Sequence, residues 1–285
     1  MKLCRFQTPD SGPKAGLTLD GESILDLTPA GIDGLTPLLE RAGLVEELTR
    51  LSTERLPRHA VSSVKLLAPV ERQEVLAAGV TYLRSKKARM EESDFSASAY
   101  DRVYEAERPE IFFKSLAEKV VASGESVGIR RDARWNVPEP ELVLFLNSRG
   151  LIVGYGVGND MSSRDIEGEN LLYLPQAKTY HRSCALGPFV TVGVSEAEAR
   201  GWTISVQIQR NGEGVFAGDT AVSQIKRSFQ ELAGFLFRCQ VFPYGAALLT
   251  GTGIVPPETF SLEPEDIVKI SISGIGPLSN PVVQV

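Results

Sequence analysis

Glu139 and Glu141 stand one residue apart in the run Asn136-Val137-Pro138-Glu139-Pro140-Glu141, and an apolar, strand-like segment, 142–146, follows at once. Residues i and i+2 of a strand point to the same face. The two like charges therefore lie side by side, where they repel. A hard divalent cation offsets such repulsion by taking carboxylate oxygens as ligands. Glu-x-Glu pairs also arise by chance on exposed strands, so a third group is needed to specify a metal.

The third group comes from a turn. Asn147-Ser148-Arg149-Gly150 separates two apolar runs. A two-residue hairpin loop at Ser148-Arg149 sets Glu141 opposite Gly156, Glu139 opposite Gly158 and Val137 opposite Asp160. Asp160 then joins the two glutamates on one face, diagonal to Glu139. A loop one residue longer would turn Asp160 away. Gly154, Gly156 and Gly158 fall on the same face, and their missing side chains predict a hollow for metal, water and substrate. The alternative is that these glycines admit a bulge or a close neighbour. The Gly154-x-Gly156-x-Gly158 run lacks the full dinucleotide fingerprint and no helix follows it.

Three carboxylates with no neighbouring His or Cys select Mg²⁺ or Mn²⁺, with Ca²⁺ able to substitute, over Zn²⁺. Lys178 is the only lysine between Lys119 and Lys226. A lone lysine is most often a surface cation. Beside a divalent metal its proton affinity falls, which suits a proton acceptor or an enolate stabiliser. Arg164, next to Asp165, either pairs with it or steadies the metal ligands.

The elements that must position these groups read as follows. Residues 1–68 form a small N-terminal domain: short β-like stretches at 3–6, 16–19 and 23–27, then a helical stretch over 35–51 with leucines on one stripe. A strand over 64–70 runs into a linker. Residues 69–285 form the main domain. Strands are predicted at 76–80, 120–122, 142–146, 151–157, 189–192, 204–209, 215–216 and 267–272, and the run 111–113 is apolar. One helix is predicted over 223–238. Residues 84–107 are polar and helix-like, a cover rather than core. Many strands and few helices give a β-rich α+β class.

Composition narrows the function. A net charge of −6 gives no global support to nucleic-acid binding. The basic run Arg84-Ser85-Lys86-Lys87-Ala88-Arg89 is neutralised by Glu91, Glu92 and Asp94. It reads as a solvated helix face, or as a patch for a small acidic substrate. No apolar run is long enough to span a bilayer, and no membrane partner is expected. The first residues hold no signal core, so a cytoplasmic location is expected. Cys4, Cys184 and Cys239 are scattered and odd in number, which argues for buried small hydrophobes over disulfides or zinc ligands.

Together these residues make the chain resemble the fumarylacetoacetate hydrolase family. The resemblance rests on Glu139-Pro140-Glu141-Leu142, Gly158-Asn159-Asp160 with Ser163-Arg164-Asp165, Lys178, Leu186-Gly187-Pro188-Phe189 and Thr250-Gly251-Thr252-Gly253, in order over roughly residues 75 to 285. It implies a mixed β-sandwich roll and a divalent metal on Glu139, Glu141 and Asp160. It further implies a pyruvoyl-type 2-oxo acid chelated to that metal, Lys178 and Thr252 as substrate contacts, and a homodimer or larger homo-oligomer. Hydrolases of the family carry a water-activating His soon after a Gly-x-Asn-Tyr-like strand end. The corresponding stretch here, 79–89, has none. The two histidines are His59, read as a surface residue, and His181, which either rims the pocket or makes a structural hydrogen bond.

The stretches 82–92, 106–114 and 250–257 resemble more closely the family's dehydratases of 2-keto-3-deoxy sugar acids. That implies loss of water from a substrate such as 2-keto-3-deoxy-D-arabinonate to give 2,5-dioxopentanoate. The metal would hold the carboxylate and 2-keto oxygens and stabilise the enolate left when a C3 proton departs. Lys178 is the candidate base. Glu110 is the candidate acid, unless it only pairs with Arg108 or Lys114. Arg84, Ser85 and Thr252 are candidate substrate contacts, and the turn amides of 250–253 could bind a carboxylate. The alternatives are an acylpyruvate hydrolase, an oxaloacetate decarboxylase or a non-catalytic 2-oxo-acid binder. The absent histidine weighs against the first, and a base beside the acidic trio weighs against the last.

Overall fold

The computed structural model describes residues 1–83 and 102–285. Short β-branched and leucine runs between glycine, asparagine and proline turns form eighteen strands among these residues. The first five are β1 (Lys2–Gln7), β2 (Lys14–Thr18), β3 (Ser23–Asp26), β4 (Arg58–Ala60) and β5 (Lys65–Leu67). Next come β6 (Glu74–Gly79), β7 (Glu110–Ser115), β8 (Val127–Ile129), β9 (Asn136–Val137), β10 (Pro140–Leu146), β11 (Ile152–Asp160), β12 (Ser162–Ser163) and β13 (Cys184–Thr191). The last are β14 (Thr203–Arg210), β15 (Glu213–Ala221), β16 (Ala246–Leu249), β17 (Ile267–Ile272) and β18 (Gly276–Gln284).

The large sheet runs β4-β3-β2-β1-β13-β11-β10-β16-β6-β7, with β5 also on β1. A second sheet runs β15-β14-β17-β18-β8. Strand β10 lies in the middle of the large sheet, and all of its residues are buried. That requires cover on both faces. Leu142, Leu144 and Leu146 pack with Val206, Ile208 and Ile270 of the second sheet and with Phe229 and Leu232 of helix Phe229–Leu236. Val143 and Phe145 face the other way, into a core shared with Leu38, Leu39 and Leu48 of the N-terminal residues. Burying a side chain such as Phe145 contributes about 1.5–3 kcal/mol. The result is the β-rich class expected from the strand count, arranged as the roll that the resemblance implies.

Hydrogen bonding crosses residue 68: β1 pairs with β13, Leu3 opposite Val190. The large sheet is therefore continuous from the N-terminal strands to the main ones. The stretch expected as one helix over 35–51 is two, Leu35–Leu39 and Leu44–Ser52, because Gly43 between them adopts φ 70°. The expected helix over 223–238 contracts to Phe229–Leu236, capped where Ser228 accepts from Glu231 N. Residues 120–122 make only an isolated bridge, Val121 to Ala185. Strand β18 went unread because Pro277 and Pro281 weigh against a strand. Cys4 and Cys184 are buried as expected, but Cys239 is exposed. Among the described residues no helix is long and apolar enough to cross a membrane.

Candidate metal centre and active site

The β10–β11 hairpin brings the acids together in a register other than the expected one. Glu141 pairs with Gly158 and Pro140 with Asn159. Asp160 lies across from Glu139, its N–H donating to Glu139 O at 3.0 Å. The loop is longer than two residues, with Asn147 N bonded to Leu151 O. A bulge between Phe145 and Leu146 adds a second slip. Two one-residue slips cancel in parity, so the side chains keep their face while Asp160 moves from diagonal to direct opposition.

The expected glycine hollow is absent. A Cβ at Gly158 would lie 2.3 Å from Leu249 Cδ2, one at Gly156 2.6 Å from Phe145 Cε2, and one at Gly154 2.5 Å from Val190 Cγ1. Neighbouring apolar side chains fill that space, so these glycines serve close packing.

The cavity opens beside them. It is lined by Glu139, Glu141, Asp160, Lys178, Glu110, Glu167, Phe112, Gly79, Val80, Gly251 and Thr252, among others. Glu139, Glu141 and Asp160 are all buried, and each offers an oxygen within 4.8 Å of the others. Arg164 Nη1 holds Glu139 Oε1 at 2.8 Å, so it steadies a carboxylate of the trio rather than pairing with Asp165. Asp165 instead accepts from Arg134 N. Lys178, at the end of the short helix Leu174–Lys178, is 2% exposed and no surface cation. Its Nζ lies 2.6 Å from Glu139 Oε2, 3.1 Å from Asp160 Oδ2 and 2.6 Å from Ser162 Oγ.

Glu141 takes a hydrogen bond from Gly251 N at 2.6 Å. The turn amide expected to bind a substrate carboxylate thus binds a carboxylate of the protein. Gly251 has φ +87°, and a Cβ there would meet Thr81 Oγ1 at 2.2 Å. Thr81 Oγ1 in turn donates to Thr250 O, which locks the turn against the strand end. Burial above all, then the charges of Asp160 and Glu139, push the Glu141 carboxyl well above its ordinary range; Lys178 and the Gly251 N–H oppose this.

Glu110 reaches the cavity from β7, opposite Gly79. Thr252 lines the cavity, and its hydroxyl also accepts from Ile254 N at 3.2 Å. Arg84 and Ser85 lie outside the described residues. His181 does not line this cavity; it borders a separate groove with Ser126, Arg131, Arg182 and the chain end. Sequence reasoning missed two groups. Glu167, on helix Arg164–Glu169, is 4% exposed and faces the cavity. Lys114 is buried behind Asp160 and ion-paired with it. Glu167 carries no local motif that would have marked it; Lys114 ends the 106–114 stretch, where it reads only as a possible partner of Glu110.

The donor set fits a hard divalent cation. It offers three oxygen donors from three like charges whose mutual repulsion shows in Glu141, with no nitrogen or sulfur ligand among them.

Comparison with known proteins gives the family. The profile of the fumarylacetoacetate (FAA) hydrolase C-terminal family matches residues 77–283. A Haloferax volcanii protein named "Probable 2-keto-3-deoxyxylonate dehydratase" is 45% identical over 244 residues, 86% of this chain and 82% of its own. A Saccharolobus solfataricus 2-dehydro-3-deoxy-D-arabinonate dehydratase is 35% identical over 269 residues, covering 93% of this chain and 90% of its own. A solved structure of 2-keto-3-deoxy-D-arabinonate dehydratase complexed with magnesium and 2,5-dioxopentanoate superposes with a TM-score of 0.83 at 31% identity, covering 100% of this chain and 99% of that one.

Proposed function

The chain belongs to the fumarylacetoacetate hydrolase family, and from that premise we propose that it is a divalent-metal-dependent hydro-lyase converting a 2-keto-3-deoxy sugar acid, 2-keto-3-deoxy-D-arabinonate, to 2,5-dioxopentanoate and water. One observation carries this reading. Lys178 Nζ lies 2.6 Å from Glu139 Oε2 and 3.1 Å from Asp160 Oδ2 in the cavity that Glu110 also lines. A proton acceptor, a proton donor and an oxygen-ligand set therefore share one buried space.

Glu139, Glu141 and Asp160 would hold the ion, which when bound supplies Lewis-acid stabilisation of negative charge on the 2-oxo oxygen. Magnesium is the ion we infer, from its presence in the solved dehydratase. Lys178 takes the C3 proton of the substrate. Glu110 donates a proton to the C4 hydroxyl, which leaves as water. Loss of a C5 proton and return of one to C3 give the C4=C5 enol, which loses its hydroxyl proton and gains one at C4 to become the C5 aldehyde. Thr252 contacts the hydroxylated tail, and Arg84 and Ser85 are assigned as substrate contacts on the resemblance alone. On the same basis we assign a homodimer or larger homo-oligomer; the sequence pattern carries the cytoplasmic location and the division into a small N-terminal domain at 1–68 and a catalytic domain at 69–285, which share one sheet.

The test is turnover by the purified chain with Mg²⁺ on 2-keto-3-deoxy-D-arabinonate, an acylpyruvate and oxaloacetate. Formation of 2,5-dioxopentanoate from the first alone supports the reading. Cleavage of the acylpyruvate or decarboxylation of oxaloacetate in its place overturns it.

A further inference from the structure

Lys114 lies outside the cavity, yet it touches two of the groups that define it. Its side chain is fully buried. The ammonium forms a 2.5 Å ion pair with Asp160 Oδ1, donates to Met161 O at 2.9 Å and makes a close hydrogen bond to the carbonyl of Lys178. Asp160 uses its other oxygen, Oδ2, toward Lys178 Nζ. One cation therefore decides which carboxylate oxygen of Asp160 faces the cavity. It also fixes the end of the short helix that delivers Lys178.

The backbone around Lys114 is shaped for this. In the β6–β7 ladder Leu76 pairs with Phe113, but Val75 pairs with Ser115. Lys114 is the extra residue of a β-bulge. Bulges re-aim a side chain at the point where they occur, often beside active sites. Phe113, just before, is 40% exposed, whereas Lys114 is 1% exposed. Glu110 and Phe112 of the same strand line the cavity. The bulge thus turns β7 from wall to support within a few residues. A buried lysine is tolerated only where it is paired, and every partner here belongs to the segments that carry Asp160 and Lys178.

We propose that Lys114 is a positioning residue of the metal centre: it orients Asp160 through one oxygen and anchors the helix end that bears Lys178. This rests on the reading that Glu139, Glu141 and Asp160 hold a cation. Lys114 acts on Asp160 as an ion pair, and removing such a partner from behind a metal ligand typically changes affinity by one to two orders of magnitude.

The experiment titrates the full chain with Mn²⁺ alone, read by electron paramagnetic resonance, for the wild type, Lys114→Met and Lys114→Arg. Circular dichroism confirms folding of each. Lys114→Met is expected to bind Mn²⁺ about 10- to 100-fold more weakly, with an altered Mn²⁺ spectrum. Lys114→Arg keeps the charge, but its longer planar fork cannot reproduce the three contacts, so an intermediate loss of about fivefold is expected. A folded Lys114→Met with wild-type affinity and an unchanged spectrum overturns the proposal and leaves the metal site standing. If Lys114→Met does not fold, Lys114→Arg decides by the same criterion. A wild-type chain that binds no Mn²⁺ overturns the metal reading and this proposal together.

Discussion

Asp160 and Glu139 face each other across the β10–β11 ladder, joined by Asp160 N to Glu139 O at 3.0 Å, and the Lys178 ammonium bridges their carboxylates. The separation of two acids is thus set by backbone pairing before any side chain is placed. Glu141, two residues on and inside β10, inherits the same frame. A site built on paired strands holds its geometry more tightly than one built on loops.

Replacing Glu141 by Gln keeps an acceptor for Gly251 N but removes one charged ligand. Divalent-metal affinity is expected to fall by more than about 100-fold, since losing a ligand exceeds the 10- to 100-fold typical of losing an outer partner. The unliganded variant should be at least as stable as the wild type, because the amide is neutral at any pH whereas the buried carboxyl must take up a proton to become so. Calorimetric titration with Mg²⁺ and urea unfolding check both halves. Full turnover in Glu141→Gln would place the site elsewhere.

The raised proton affinity of Glu141 has a pH consequence of definite sign. Burial first, then Asp160 and Glu139, lift its carboxyl in the folded state. The unliganded folded protein therefore holds a proton that the unfolded chain releases. Its stability is greatest below the ordinary carboxylate range and declines as pH rises from there through the raised folded value. Metal binding requires the ionised form, so it expels the proton, and affinity climbs with pH over the same window. Calorimetry of Mg²⁺ binding in two buffers of different ionisation enthalpy should report proton release. No release within that window would contradict the assignment.

Glu110→Gln removes the proposed donor to the leaving hydroxyl and keeps its size. A loss of about 10²- to 10⁴-fold in kcat with little change in KM is expected for a general acid. Steady-state kinetics on the 2-keto-3-deoxy acid decide the matter. A change confined to KM would make Glu110 a binding group.

Gly158→Ala tests the packing beneath the site. The new methyl would meet Leu249 Cδ2 at 2.3 Å and Val143 Cγ2 at 2.8 Å. Overpacking of this kind destabilises by about 1–3 kcal/mol, which denaturant unfolding would register. An unchanged unfolding midpoint would show that the neighbouring chains move aside freely.

Strand alternation made the convergence of Glu139, Glu141 and Asp160 readable, because face depends only on parity and an even shift in register preserves it. The exact partner was not readable, since loop length and bulge are separate one-residue events. A glycine in sequence shows that a side chain is missing, not what replaces it; Phe145, Leu249 and Val190 arrive from other positions and other strands. Lys114 was hidden for a similar reason. Its burial depends on a bulge and on Asp160, Met161 and Lys178, all distant in sequence. The helical periodicity over 35–51 passes through Gly43, and only its left-handed conformation splits the segment.

Strand β1 reaches its neighbour β13 only after most of the polypeptide has been made. At roughly 5–20 residues per second, the first strand leaves the ribosome about 10–40 s before its partner. Throughout that interval Leu3 can pair only with the β2 side, Leu3 opposite Leu17, and the edge destined for Val190 stays uncovered. Completion of the sheet is therefore a late event in biosynthesis, and residues 2–4 keep one unpaired edge until 189–191 have been made.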